Sequence, residues 1–355
     1  MVRESDLRRN STQKSSKEAW FMADHVIVGG GVAATQAAEA IRRLHPQDTI
    51  TVVAEEARPF YVRPLLADFV AGRIDESRLW RDFESTAEAG GIGIRSGRRA
   101  TGIDRAAGSI TLDDGSALSY DRLLVATGVR PRLPQLPGID LEGVTAFSAY
   151  ADAVRMREWC GEAKTAVVIG RGLQGVELTR ALRLRGLEVT MVVPDESPWF
   201  PQLFQLKGEL IEREMARRGV EVVELDRPAE LVGNDGRVAA VKTHEGRELP
   251  ADIVGFALDQ RARVEFLVGS GISLADGVVV SARLQSTDER VFAAGDVAQI
   301  EHEGRRRPIG YGWLRAMEQG ETAGRNMAGE DVAAEVGDES QAQALYGMSL
   351  LARWD

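Results

Sequence analysis

Hydrophobic and polar positions fall along this chain in blocks, and one block occurs twice. At 25–44, HVIVGGGVAATQAAEAIRRL, an apolar β-branched run leads into closely spaced glycines and then an amphipathic run. The same shape returns at 166–184 as AVVIGRGLQGVELTRALRL. The first copy predicts a strand at His25–Val28, a glycine turn, a helix at Ala33–Leu44 and a second strand at Thr49–Val53. Ala34, Ala37, Ala38, Ile41 and Leu44 share one stripe of that helix, as expected where a helix lies on a sheet. The second copy predicts the same βαβ unit from Ala166 to Val193. The two starts lie about 140 residues apart, which indicates a duplicated domain and not a solenoid repeat.

Between and after these units the pattern shortens. Runs such as IGIRSGRRATGIDRAAGSITLDDGSALSYDRLLVATG, punctuated by DDGS, predict β-hairpins. A helix is expected through LADFVAG, another through LFQLKGELIEREMARRG, and a closing one across GWLRAMEQGETAGRNMAG. The fold class is therefore α/β, with two Rossmann-like, three-layer ββα dinucleotide-binding domains, the second inserted in the first. The expected boundaries are a polar, disordered leader at 1–21, the first domain at 22–147 and 270–330, the inserted domain at 148–269, and a remnant or the start of a C-terminal domain at 331–355.

Composition narrows the function. The 355 residues are 44% hydrophobic and 28% charged, as in ordinary globular proteins, and the net charge of −10 argues against nucleic acid as a partner. No run has the length of a membrane span, and the leader has no apolar core for a signal peptide. One cysteine, Cys160, excludes an internal disulfide or a redox pair and fits a cytoplasmic location; it reads as a small, partly buried side chain. No metal-ligand pattern is present, and the sequence leaves the oligomeric state open.

The turns carry the candidate chemistry. Gly29, Gly31 and Ala34 occupy the three fingerprint positions of a dinucleotide turn, with Val32 and Ala33 opening the helix whose N–H groups face the phosphates. An acid is expected after the second strand to hold ribose hydroxyls; ITVVAEE supplies Glu55, with Glu56 and a one-residue shift as the alternative, or a merely solvated loop carboxylate. In the second copy Gly170, Gly172 and Gly175 keep all three glycines around Leu173 and Gln174, but the strand ends at Val193, with Asp195 only after Pro194. That turn should fold, while its ribose end is poorly equipped.

Six segments in order resemble the FAD-dependent pyridine-nucleotide oxidoreductase family, especially its rubredoxin/ferredoxin-reductase and nitrite-reductase-like branch. They are GGGVAATQAAEAI, PFYVRPLL, LLVATGVRPR, GRGLQGVEL, VFAAGDVAQ and GWLRAMEQGETAGRNMAG. The resemblance implies FAD as cofactor and NAD(P)H as co-substrate. It assigns to FAD, besides the first turn, Arg63, Ala126, Thr127, Gly128, Gly295, Asp296 and Trp313, and gives Glu177 a place by the reacting centre. Taken alone, Asp296 also reads as a helix cap and Arg63 as a surface side chain.

The chain also departs from the family pattern. Asp68 stands where the resemblance expects a lysine to pair with Glu177, so two carboxylates would adjoin. Asp259 and Ala262 replace a glycine and a proline near the nicotinamide. The resulting expectation is an FAD-dependent NAD(P)H oxidoreductase delivering electrons to an iron–sulfur or rubredoxin-type protein. The alternative is an FAD-carrying electron-transfer subunit of a larger complex with an impaired nicotinamide site.

Overall fold

The computed structural model describes residues 22–170, 172–194, 208–258, 260–302, 305–306 and 312–335. The 1–21 leader, Asp195, Asp259 and the segment LYGMSLLARWD lie outside the described residues. Seven helices are described: α1 (Val32–Leu44), α2 (Leu66–Val70), α3 (Phe83–Ala89), α4 (Tyr150–Trp159), α5 (Leu173–Leu184), α6 (Gly208–Arg217) and α7 (Trp313–Met327).

Two five-stranded parallel sheets form. The first runs Val291–Ala293, Arg122–Val125, Asp24–Val28, Thr49–Ala54, Ile92–Ser96 across its width. The second runs Val220–Glu224, Glu188–Val193, Thr165–Ile169, Ile253–Phe256, Val144–Ala146. In each, the strand entering the glycine turn is central and buried, which is why both read as continuous β-branched runs. Hairpins are present as two three-stranded antiparallel sheets, Ala100–Asp104 to Ala117–Ser119 and Pro228–Asn234 to Glu248–Pro250, but the ends of the run read as hairpins, Ile92–Ser96 and Arg122–Val125, pair in parallel within the first sheet instead.

The chain passes between the two sheets along Val129–Pro131 and returns along Gln260–Ala262, and these crossing strands pair antiparallel. Ala34, Ala37, Ala38 and Ile41 are fully buried on α1, as the stripe predicts, but Leu44 is exposed, because it closes the helix after the sheet contact has ended.

Helix α7 packs on α1 through small residues. A Cβ on Gly320 would lie 2.3 Å from the Ala33 carbonyl oxygen, and one on Gly324 2.6 Å from that of Ala37. One packing relation is not visible in the pattern. Tyr61, Leu66, Phe69, Val70 and Leu79 join the core formed by Val168, Leu178 and Met191 of the second sheet, although Phe60 belongs to the core of the first.

Candidate functional site

The two glycine turns are geometric copies. Gly29 has φ of +138°, and a Cβ there would lie 2.0 Å from the Ala126 carbonyl oxygen; Gly170 has φ of +117°, with Ala257 O at 2.1 Å. Their N–H groups donate to Val53 O (2.8 Å) and Val192 O (2.9 Å). Ala126 and Ala257 donate to Val28 O and Ile169 O, both at 2.8 Å. The first glycine of each turn is thus demanded by the neighbouring strand, at the point where the sheet order reverses.

The second glycine of each turn is different. A Cβ on Gly31 or Gly172 would meet no protein atom within 4 Å. Each caps its helix without a side-chain hydrogen bond, and neither α1 nor α5 has an acid in its first turn. An open, uncapped helix start whose first N–H groups have no acceptor among the described residues fits a pyrophosphate by hydrogen bonding and by the helix dipole. The third positions are Ala34, fully buried, and Gly175, where a Cβ would come 2.4 Å from Gly170 O.

Several of the expected residues lie near the first turn, but none of them lines the cleft beside it. That cleft, of 370 Å³, is lined by Gly30, Val52, Ala54, Arg58, Phe60 and Ile94, among others. Glu55, just beyond the second strand, pairs with Arg263 at 2.6 Å and Arg99 at 3.9 Å. Glu56 turns to a different group: it accepts from the Tyr61 hydroxyl at 3.0 Å and Arg63 at 2.7 Å. Arg63 also donates to Ser148 O at 2.7 Å, so its guanidinium braces backbone and carboxylate. Burial pushes the Tyr61 hydroxyl up to about 12, with Arg63 opposing and Glu56 adding to the shift.

Gly295, φ +77°, lies against Ala33 of α1 and Ala316 of α7, and its N–H donates to the buried Gln319 Oε1 at 2.8 Å. The Arg63 pKa is raised: desolvation opposes this, while Tyr61, Glu56 and, least of them, Asp296 favour the cation, whose side chain is 43% exposed. Trp313, at the start of α7, stacks on Phe60 with ring centroids 5.8 Å apart. Thr127 spends its hydroxyl on Arg263 O at 2.7 Å, and Gly128 (φ +66°) has open space where a Cβ would stand. Sequence reasoning missed Phe60, Gln319 and Arg263. Gln319 stands one residue before Gly320, and the α7 pattern carried that much signal; nothing in the pattern pointed to Arg263.

Around the second turn, Gln174 accepts a hydrogen bond from Gln260 at 2.6 Å, which ties α5 to the returning crossing strand. Val193 is fully buried at its strand end. Glu177 is half-buried on α5. Asp68 is held by Arg180 at 3.0 Å, so this carboxylate has its own counter-charge on α5, the helix that also carries Glu177. Cys160 is buried, and burial pushes its thiol up to about 11.

A family model described as pyridine nucleotide-disulphide oxidoreductase matches residues 23–323. The ferredoxin–NAD(+) reductase component of a biphenyl dioxygenase system from Paraburkholderia xenovorans (strain LB400) is 33% identical over 273 residues, 77% of this chain and 66% of its own length. Rhodocoxin reductase of Rhodococcus erythropolis is 30% identical, over 77% of this chain and 64% of its own. Among solved structures, the ferredoxin reductase for the CYP199A2 system of Rhodopseudomonas palustris superposes with a TM-score of 0.82 at 25% identity, covering 88% of this chain and 78% of the other. The chain spans just under two thirds of the length of these two curated relatives.

Proposed function

The chain belongs to the pyridine nucleotide-disulphide oxidoreductase family, and from that premise we propose that it is an FAD-dependent NAD(P)H reductase delivering electrons to a small iron–sulfur or rubredoxin-type protein. The observation that carries this reading is the duplicated turn: two uncapped helix starts, each on a central parallel strand, with identical backbone bonding.

In this account Gly29 sets the turn, Gly31 and the first N–H groups of α1 hold the FAD pyrophosphate, and Glu55 exchanges an arginine contact for the ribose hydroxyls. Gly128, Gly295 and Asp296 line the path toward the flavin, and Trp313 with Phe60 walls it. Gly170 sets the second turn, and Gly172 with the start of α5 holds the nicotinamide dinucleotide, with Glu177 and Gln174 beside it. When bound, FAD supplies the exchange between two-electron hydride chemistry and one-electron delivery. The protein's part is to position and to exclude water. With Cys160 as the sole cysteine, electrons leave without a thiol relay. No helix among the described residues is long and apolar enough to cross a membrane. A chain with one cysteine and no disulfide fits a reducing compartment, and on that ground we place the protein in the cytoplasm.

Val193 offers no carboxylate where a ribose acid would stand, and this favours a second reading: an FAD-carrying subunit of a larger complex, reduced by another route. The two readings separate in a ferricyanide assay on FAD-loaded protein. The reductase reading expects NAD(P)H-dependent turnover that Gly172→Val abolishes while FAD stays bound. Turnover untouched by Gly172→Val, or absent throughout, contradicts it.

A further inference from the structure

Residues 60–81 leave the first core and come back to it, and the excursion between is buried in the second. Its neck is a pinch of two antiparallel segments: Val62 N–H donates to Leu79 O and Arg81 N–H to Phe60 O, both at 2.9 Å. Phe60 at that neck lines the cleft beside the first glycine turn and stacks on Trp313. The body of the excursion is fastened to α4. Arg157 donates to Phe69 O (2.8 Å) and Ile74 O (3.1 Å), and the Tyr150 hydroxyl donates to Glu76 (2.6 Å).

Its contact with α5 is of another kind. Arg180 has a side chain only 6% exposed, its Nε has no hydrogen-bond partner, and Asp68 is its one acidic partner among the described residues. A buried guanidinium with a single carboxylate is a costly arrangement, and replacing both by apolar side chains is often neutral for the global stability of the fold, whatever it does to local order. Its distinct property is direction. A charge-assisted bond fixes α5 at one rotation and height relative to α2, where apolar contacts between a five-residue helix and a twelve-residue one tolerate sliding.

We propose that Asp68 and Arg180 are positioning residues: their ion pair sets the start of α5, which carries the second glycine turn, against the segment whose neck walls the first cleft. The inference rests on the reductase reading for its kinetic consequence and on geometry alone for the lock itself.

The two partners are unequal, and this makes the test clean. Removing Asp68 strands a buried cation, so Asp68→Leu is expected to lose folded protein. Removing Arg180 leaves a carboxylate that is a third exposed and stays hydrated. The experiment therefore uses Arg180→Met, the double variant Asp68→Leu/Arg180→Met, and Arg180→Lys, all as FAD-loaded full chain. Amide hydrogen exchange is followed on 66–70 and 173–184, beside anaerobic stopped-flow reduction by NADH and NADPH.

Arg180→Met and the double variant should exchange at least tenfold faster in both segments. They should lose at least tenfold in limiting reduction rate with half-saturating nucleotide within twofold, and keep their FAD. Arg180→Lys should recover at least half of the lost rate. Unchanged exchange in the double variant overturns the lock, and so does altered exchange without a change in limiting rate. If the parent protein is reduced by neither nucleotide, the reductase reading fails by itself, and the exchange data still decide the lock.

Discussion

At the scale of single residues, glycines that look alike in sequence do different work. Gly29→Ala drives a methyl group into the Ala126 carbonyl at a left-handed φ, and should cost about 2–4 kcal/mol of stability in urea unfolding. Gly31→Ala meets no protein atom, so stability should change by less than about 0.5 kcal/mol. FAD affinity, read by flavin fluorescence, should nevertheless fall at least tenfold. Equal loss of fold in both variants would contradict the division of roles. The spacing of the fingerprint was legible in the sequence. Which glycine serves the fold and which the ligand was not, because that depends on Ala126, almost 100 residues away.

A second residue-scale prediction concerns His25. It is 1% exposed and bonded to Asp48 at 2.8 Å, yet burial outweighs that bond and lowers its pKa from 6.5. The unfolded chain therefore takes up the proton first, and stability is lost as pH falls below about 6.5 toward the folded value. The urea midpoint should drop between pH 7.5 and pH 5 by more in the parent protein than in His25→Gln. An equal drop would show that His25 does not titrate against folding.

At the scale of elements, helix packing fixes where the site's second motif lies. Gly320→Ala would force α7 away from α1, with an expected cost of about 1–3 kcal/mol. Because α7 also carries Gln319, which holds Gly295, and Trp313, which stacks on Phe60, the same substitution should weaken FAD retention on gel filtration. Loss of stability with FAD retention intact would separate α7 from the site. The glycine-turn strands and five of the described helices were legible as elements because their periodicities differ, while α3 and α4 were not read from the pattern. The allegiance of 61–79 to the second core was not, since an apolar stripe states that a face is buried but not against which partner. Glu55 is similar. Its place after the second strand could be read from the pattern, but its pairing with Arg263 comes from a returning strand that periodicity does not place.

At the scale of the whole molecule, the duplication is the organising fact. Two parallel sheets each set a glycine turn at the reversal of strand order, and two antiparallel crossing strands tie the units together. Such a body has a use if one turn holds a redox cofactor and the other brings a nicotinamide to it. The buried Cys160, with its thiol pushed up to about 11, is no relay; Cys160→Ser should leave turnover unchanged, and a fall of more than threefold would restore thiol chemistry to the account.

The duplicated turn has a function only if both copies bind and bind for one another. The most direct test is an anaerobic titration of the FAD-loaded protein with NADH and, separately, NADPH, following the visible flavin band. The account predicts that at least one nucleotide bleaches the band in full, with the preferred one answering the ribose question that Val193 raises. A yellow protein that dithionite reduces and neither nucleotide does would contradict it.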